Sequence, residues 1–452
     1  LKTLTLSQIN SAVCGVLSSS EYDSVGIDTV CTDSRKISEG CLFIALCGER
    51  FDGHDYIDAA YRSGAAAAIS HKPVESAMPT ITVDDTTEAL GRLAAFYKSR
   101  MGIKTAAVTG SVGKTSTKEM IYTVLSARYN TLKTEGNLNN QIGLPLTLLK
   151  LDSRHRCAVI EMGMSDLGEI GYLSKITKPD IAVITNIGLC HIESLGSQAN
   201  ILRAKMEITK GLADGSPLIL CGDDERLWSV ETDRLRKIYY GIENQDAHVR
   251  AENIKTQEGG MSFDIVYDGG RVKAVIPVIG KHNVLNALAS FCVGREMGMT
   301  AQEIVGAYAD YSGIRQKNRI INGIMIIDDC YNASPHSVKA ALSVLMQTVS
   351  AGRRIAVLGD MLELGHMSQA AHEDIGKSAA ESGIDMLVCS GGESVRMAEA
   401  ARSHRLETHY FAAKEEASHF LKQTLCPGDT ALFKASRGMA FETIIESLQE
   451  TI

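Results

Sequence analysis

The sequence predicts an α/β protein of three domains, and three observations carry that prediction. At 452 residues the chain has room for about three domains of roughly 150 residues. Apolar strand-like runs alternate with helical stretches twice, from 105 to about 220 and again after about 314, the pattern of βαβ units on a mostly parallel sheet. Between them, residues 246–280 change to alternating residues broken by glycine pairs at 259–260 and 269–270, which reads as antiparallel hairpins. The expected layout is an N-terminal α/β domain over 1–98, a central α/β domain with an antiparallel β insertion over 99–313, and a C-terminal doubly wound, Rossmann-like domain over 314–452.

Each unit follows from its own stretch. In the first, a short strand is expected at 41–46, beside the alanine-rich "SGAAAAIS". Residues 32–56, "TDSRKISEGCLFIALCGERFDGHDY", are dense in polar groups and turns and read as a ligand-binding loop region rather than core. The helical "EALGRLAAFYKSR" closes this unit. In the second, strands are expected at 105–109, 157–162, 181–186 and 218–221, and helices at 115–128 and 198–212, with a further helix from near Asn283. In the third, helices are expected at 336–347, 368–382 and 439–450, and strands at 354–358, 386–389 and 430–435.

Composition narrows the partners. Net charge is −8 with no long basic run, so neither nucleic acid nor an anionic membrane is expected. The longest apolar runs, such as 181–184 and 323–327, are too short to cross a bilayer. The opening "LKTLTLSQINSAV" has no charged-then-apolar leader, which predicts no secretory signal and a cytoplasmic setting. Eleven cysteines include no C-x-x-C pair and several sit in apolar runs (Cys157, Cys221, Cys389). They read as reduced core thiols, with zinc ligation or a nucleophilic cysteine as the alternatives.

The most specific motif is "TAAVTGSVGKTSTKE" at 105–119. An apolar run meets a glycine turn, a lysine and two hydroxyls. The usual P-loop has four residues between its glycines; here two separate Gly110 from Gly113, and Val108 takes the place of the first glycine. The backbone of Gly110, Ser111, Val112 and Gly113 would point its N–H groups, with the helix dipole, at a phosphate. Lys114 would neutralise β and γ phosphates, and Thr115 and Ser116 add hydroxyls, Thr115 toward Mg²⁺. A plain glycine turn with a solvated lysine is the alternative.

Other candidates fall where an open α/β sheet binds ligands, at the carboxyl ends of its strands. Glu161 ends "CAVI" and His191 follows "IAVITN", both placed to reach a metal on the phosphates, though Glu161 could cap a turn and His191 could be a surface or core residue. Lys205 in "LRAKMEI" reads by itself as a solvated helical lysine. Asn283 and Asn286 in "GKHNVLNALAS" share a helical face; they could read a purine edge, or Asn283 could be a cap. "IRQKNRIINGIMIIDDCYNASPHS" at 314–337 supplies Arg315 and, after a strand, Asp328 and Asp329, a pair of charges able to clamp a nucleotide. "GDMLELG" (359–365) and "KASRGMAFE" (434–442) each end a strand and could be site loops or simple turns.

Together these stretches resemble the Mur ligase family of ATP-dependent amide ligases that build peptidoglycan, and the resemblance covers essentially the whole chain. The short loop matches that family's Thr-Gly-x-x-Gly-Lys-Thr/Ser form over Thr109–Ser116. "TEGNLNNQIGLP" (134–145), "DDCYNASPHS" (328–337), "GDMLELG" and "KASRG" resemble the branch that joins D-alanyl-D-alanine (D-Ala-D-Ala) to UDP-N-acetylmuramoyl (UDP-MurNAc) tripeptide. Two departures stand out: Cys330 where Ser or Ala is usual, and "KASRG" for Lys-Gly-Ser-Arg.

The resemblance implies roles. Lys114 and the loop hold ATP phosphates; Thr115 and Glu161 bind one Mg²⁺; His191 binds a second, supported by a carbamate on Lys205. Asn283 and Asn286 hold adenine, and Arg315 and Asp329 close on the nucleotide. Ser34, Arg35, Thr134 and Asn137 face the UDP-muramoyl peptide, and Tyr331, Asn332, Ser436 and Arg437 line the acceptor side. A monomer is implied. The competing readings are another Mur-type or folylpolyglutamate-type ligase that adds one amino acid, a P-loop switch protein, disfavoured because no Asn-Lys-x-Asp guanine motif occurs, and an inactive scaffold.

Overall fold

The computed structural model describes residues 1–48, 51–74, 76–313 and 318–449; Arg315 lies outside them. Its centre is a nine-stranded sheet. Strand Lys104–Thr109 sits between Cys157–Glu161 and Ile181–Ile184, parallel to both. The chain leaves that strand toward one edge, through helix Lys114–Ser126 to strand Thr131–Lys133, and returns to build outward on the other side. The end of Lys104–Thr109 is therefore a topological switch point, where a ligand crevice opens. Thr105–Thr109 are all buried, as a parallel strand covered by helices on both faces must be.

The hairpins are present but are not a separate layer. Val249–Gln257 pairs in parallel with Arg236–Gly241, and Gly260–Tyr267 and Gly270–Ile276 then add antiparallel strands to the same sheet. A register shift between Glu252 and Lys255, with Asn253 at φ 53°, bends the first of them. The expected helix 198–212 ends as an α-helix at Met206 and tightens into a 3₁₀ turn over Glu207–Gly211.

The other two units each have a sheet. Five strands, in order Val16–Leu17, Thr80–Thr82, Ala67–Ser70, Leu42–Ile44 and Val30–Cys31, form the first, all parallel except the outermost pair Val16–Leu17 and Thr80–Thr82. Helix Thr86–Met101 follows it, capped by Asp85 and ended by Gly102 at φ 61°. Six strands form the last sheet, in order Arg319–Ile321, Ile324–Asp328, Thr430–Lys434, Arg354–Gly359, Met386–Ser390 and Glu407–Phe411. Thr430–Lys434 is inserted parallel between Ile324–Asp328 and Arg354–Gly359. Strand Glu407–Phe411 and helices Ser394–Ser403 and Lys414–Thr424 were not expected from the sequence. The cysteines are free, and Cys157, Cys221, Cys292, Cys330 and Cys389 are core residues, whose burial pushes the Cys221 thiol up to about 12. No helix among the described residues is long and apolar enough to cross a membrane.

Candidate active site

The glycine turn is shaped by what lies under it. Gly110 (φ 151°) packs so closely on Thr185 that a Cβ there would collide with the threonine hydroxyl, and Gly113 (φ 83°) starts helix Lys114–Ser126 in the left-handed region. Two residues just past strand Ile181–Ile184 fix the turn. Asn186 accepts from Ser111 N–H through its carbonyl and from Val112 N–H through its side chain, and returns its amide to Val112 O. The Thr185 hydroxyl also donates to Val112 O, at 2.6 Å, and Ser111 Oγ accepts from Gly188 N–H. Lys114 folds back, donating to Gly110 O at 2.8 Å and Ser111 O at 3.3 Å. These carbonyls stand in for the phosphate oxygens such a lysine reaches. Thr115 and Ser116 are half-buried at the second and third helical positions.

Glu161 ends its strand 2% exposed. Its Oε1 accepts from the Asn139 amide at 2.8 Å, while Oε2 has no hydrogen-bond donor. The Lys118 ammonium lies 3.8 Å from that oxygen. An anionic oxygen buried without a donor is a site that a hard divalent cation satisfies, so the residues fit Mg²⁺. Thr134 packs against the same carboxylate's strand end. It is fully buried, takes the Glu161 N–H on its hydroxyl and the Lys118 ammonium on its carbonyl. The cause is continuation past the edge strand: Thr134 N–H still bonds Val159 O, which keeps its side chain inside. Asn137, in the same loop, is exposed.

Across the switch point, His191 is held at φ 61°. Its Nδ1 lies 2.7 Å from Glu363, in "GDMLELG" of the last unit, and Glu193 N–H donates to Glu363 O. Burial lowers the His191 pKa, as do the Lys114 and Lys205 charges, against the pull of Glu363. A carboxylate on one ring nitrogen fixes the tautomer and leaves the other, Nε2, with a lone pair, the usual arrangement of a metal-binding histidine. Lys205 is not a solvated lysine. It is 1% exposed, and burial, reinforced by Lys114, brings its pKa down to about 7. Glu207, two residues on, points away and accepts from the Gly168 and Gly171 N–H groups.

Asn283 and Asn286 do share a face, but they bond each other at 3.3 Å, and Asn286 Oδ1, buried, accepts from the Thr117 hydroxyl. Asn286 thus also braces the phosphate-loop helix from below. From the last sheet, Asp329 is paired at 2.7 Å with Lys434, a buried lysine that also donates to Asn332 O; burial nonetheless raises the Asp329 pKa. Arg437 lies over the exposed Tyr331 ring, 5.3 Å from its centroid. Ser436 is buried, its hydroxyl accepting from Leu362 N–H, so it ties "KASRG" to "GDMLELG". His336 brings its Nδ1 close to Gly188.

Ser34 and Arg35 lie in a 3₁₀ turn capped by Asp33, away from this cluster in sequence and sheet; Arg35 is exposed and paired with Asp33 at 2.8 Å, which holds that carboxyl down near 2. Elsewhere in the same unit, Cys47 Sγ lies 3.6 Å from His54 Nδ1 and 3.8 Å from His71 Nδ1. His54 Nε2 accepts from the His71 backbone N–H, so the ring proton is on Nδ1, facing Asp52. That wiring offers no lone pair from His54 toward Cys47, and the group is a hydrogen-bonded network.

The whole chain has known relatives. The Mur ligase middle-domain family matches residues 108–294, the Mur ligase glutamate ligase domain 314–437, and the Mur ligase catalytic domain 26–98. The UDP-N-acetylmuramoyl-tripeptide–D-alanyl-D-alanine ligase of Bacillus subtilis is 38% identical over 99% of this chain and 98% of the relative. A crystal structure of MurF from Acinetobacter baumannii superposes with a TM-score of 0.92 at 33% identity, covering both chains completely. MurF from Thermotoga maritima, solved in complex with ADP, gives 0.83 at 29% identity over 93% of this chain and 97% of that one. The chain belongs to the Mur ligase family.

Proposed function

From that membership we propose that the chain is an ATP-dependent amide ligase that joins D-Ala-D-Ala to UDP-MurNAc-tripeptide, the reaction its full-length relatives are named for. The observation that carries the reading is the meeting at one sheet end of the phosphate loop, the donor-free Glu161 oxygen and a buried lysine with a pKa near 7. The ADP complex of the Thermotoga relative supports ATP as the phosphoryl donor.

The residues divide the work. Loop amides and Lys114 hold and neutralise the β and γ phosphates while the tripeptide carboxylate attacks the γ-phosphorus, giving an acyl phosphate and ADP. The dipeptide amine then attacks the acyl carbon, and phosphate leaves. Thr115 and Glu161 would hold one Mg²⁺, and His191 with Lys205 a second; when bound, Mg²⁺ offsets the charge that builds on the transferring phosphoryl group. Imidazole is a softer donor than Mg²⁺ prefers. Lys205 is suited to correct this: its amine, half-neutral near pH 7, can add to CO₂ and lose a proton, and the carbamate presents two hard oxygens. Glu363 orients His191 from the last domain, so site assembly and domain closure are one event, and closure also excludes water from the acyl phosphate.

We assign 1–98 to the UDP-substrate, together with Ser34, Arg35, Thr134 and Asn137, 99–313 to ATP, and 314–452 to closure and the acceptor, with Tyr331, Asn332, Ser436 and Arg437 assigned to the dipeptide. Asn283 and Asn286 are assigned to adenine, and Asp329 to closure on the nucleotide, the role the family resemblance also gives Arg315. A cytoplasmic monomer fits this reading. Phosphate release is expected only when UDP-MurNAc-tripeptide and D-Ala-D-Ala are both present. Turnover with a free amino acid and none with the dipeptide would move the chain to a single-residue-adding branch.

A further inference from the structure

Lys118 is one helical turn past Lys114 and has a side chain with no exposure at all. Its ammonium donates to Thr134 O at 2.7 Å and lies 3.1 Å from Glu119 and 3.8 Å from Glu161 Oε2. Glu119 in turn pairs with Lys133 at 2.6 Å. Two lysines and two carboxylates make this pocket electroneutral before any metal arrives. The donor-free oxygen of Glu161 is thus already compensated by an enclosed cation 3.8 Å away that gives it no hydrogen bond.

From this we propose that Lys118 is a positioning residue that makes metal entry depend on nucleotide. The proposal rests on Glu161 being a Mg²⁺ ligand. A divalent ion on Oε2 would sit beside a fixed ammonium that has nowhere to go: it is enclosed and bound to a carbonyl and a second carboxylate. Like charges at such separations in a low-dielectric site repel strongly, so Glu161 binds the ion poorly by itself. The triphosphate brings the negative charge that overcomes this repulsion, and metal and nucleotide load together. Free metal then does not occupy the loop and block it, while Lys118 holds the Glu161 strand end and the Thr134 turn at fixed distance from the phosphate-loop helix.

The test is Mn²⁺ binding, followed by its electron paramagnetic resonance signal, to the full chain with and without a non-hydrolysable ATP analogue. Wild type is expected to bind Mn²⁺ at least tenfold more weakly without the analogue. Lys118→Met is expected to raise the nucleotide-free affinity at least tenfold and to shrink the coupling, whereas Lys118→Arg keeps it. A merely structural lysine would give weaker binding on replacement, the opposite direction. Lys118→Gln, which keeps a donor for Thr134 O, serves if the methionine variant fails to fold by circular dichroism. Equal wild-type affinity with and without the analogue, or unchanged or weaker nucleotide-free binding in the folded variants, overturns the proposal. Glu161→Gln separates the two levels: if it leaves analogue-dependent Mn²⁺ binding intact, the ligand assignment itself falls. If it abolishes that binding while the Lys118 variants change nothing, only the role of Lys118 falls.

Discussion

Two fully enclosed lysines flank the phosphate loop, and their surroundings are opposite. On the side of strand Cys157–Glu161, Lys118 has two carboxylates and a carbonyl within reach. On the side of strand Ile181–Ile184, Lys205 makes no ion pair with a carboxylate among the described residues and feels the like charge of Lys114 against a weaker opposite pull from Cys190. Burial is the same; partners differ, and partners decide the chemistry. A paired buried lysine is a fixed cation that ties elements together. An unpaired one is driven toward its neutral amine, with a lone pair free to react.

The largest break in this contrast is expected from Lys205→Ala. If the unpaired amine becomes a carbamate, its loss should lower the ligase rate about a hundredfold or more, and acetate or formate should restore part of it by entering the vacated space. Near-normal turnover in the variant, or no response to added carboxylate, would return Lys205 to an ordinary core position. Mass spectrometry of the intact chain in bicarbonate, at neutral pH and without acid quench, should show one added CO₂ that Lys205→Ala lacks.

A smaller effect is expected from Glu363→Ala, which frees His191 Nδ1. Loss of an outer carboxylate on a ligating histidine costs about 10–100-fold in metal affinity or activity; Glu363→Gln, which still accepts a hydrogen bond, should lose less. Metal titration of ligase activity measures both, and an unchanged metal requirement would remove Glu363 from the site.

The smallest effect sharpens the contrast through stability. Lys205 titrates near 7 in the fold and near its ordinary 10.5 when unfolded. Between these values the unfolded chain binds more protons, so folding stability rises with pH across that window. Below pH 7 both states are charged and the cost of enclosing the ammonium is fully present. Lys205→Met should therefore raise the melting temperature most below pH 7, by about 5 °C, with the gain fading toward pH 10.5. Measured in CO₂-free buffer without nucleotide, a gain that grows with pH would reverse the sign and the argument.

Much of this was legible in the sequence, and the limits have physical causes. The glycine turn and Lys114 stood out because φ-demanding glycines after a strand are a local signal, whereas Glu161 and His191, though at strand ends, took their roles only from the family resemblance. The inward register of Thr134 was not, since one residue past an edge strand either face is open until the neighbouring strand is placed. Asn139 and Asn186 sat unassigned within or beside motifs, because hydrogen bonds to a strand end 22 residues away or a loop 74 residues away leave no spacing pattern. Lys118 did carry a signal. Thr117, Ile121, Val124 and Leu125 form the buried stripe of its helix, and a lysine on that stripe must find a partner inside. Arg437 and Tyr331, 106 positions apart, meet only because their strands neighbour each other in the last sheet.

That last sheet has a consequence for biosynthesis. Its inner strand Thr430–Lys434, flanked by Ile324–Asp328 and Arg354–Gly359, leaves the ribosome after every other strand of the sheet. Until then the two flanking strands have exposed edges and Asp329 has no Lys434. The first two units can fold during translation while the third waits as an open, aggregation-prone intermediate. A nascent chain stalled before residue 430 would hold ATP-binding parts without the closing half, a product for quality control to degrade rather than a slow enzyme.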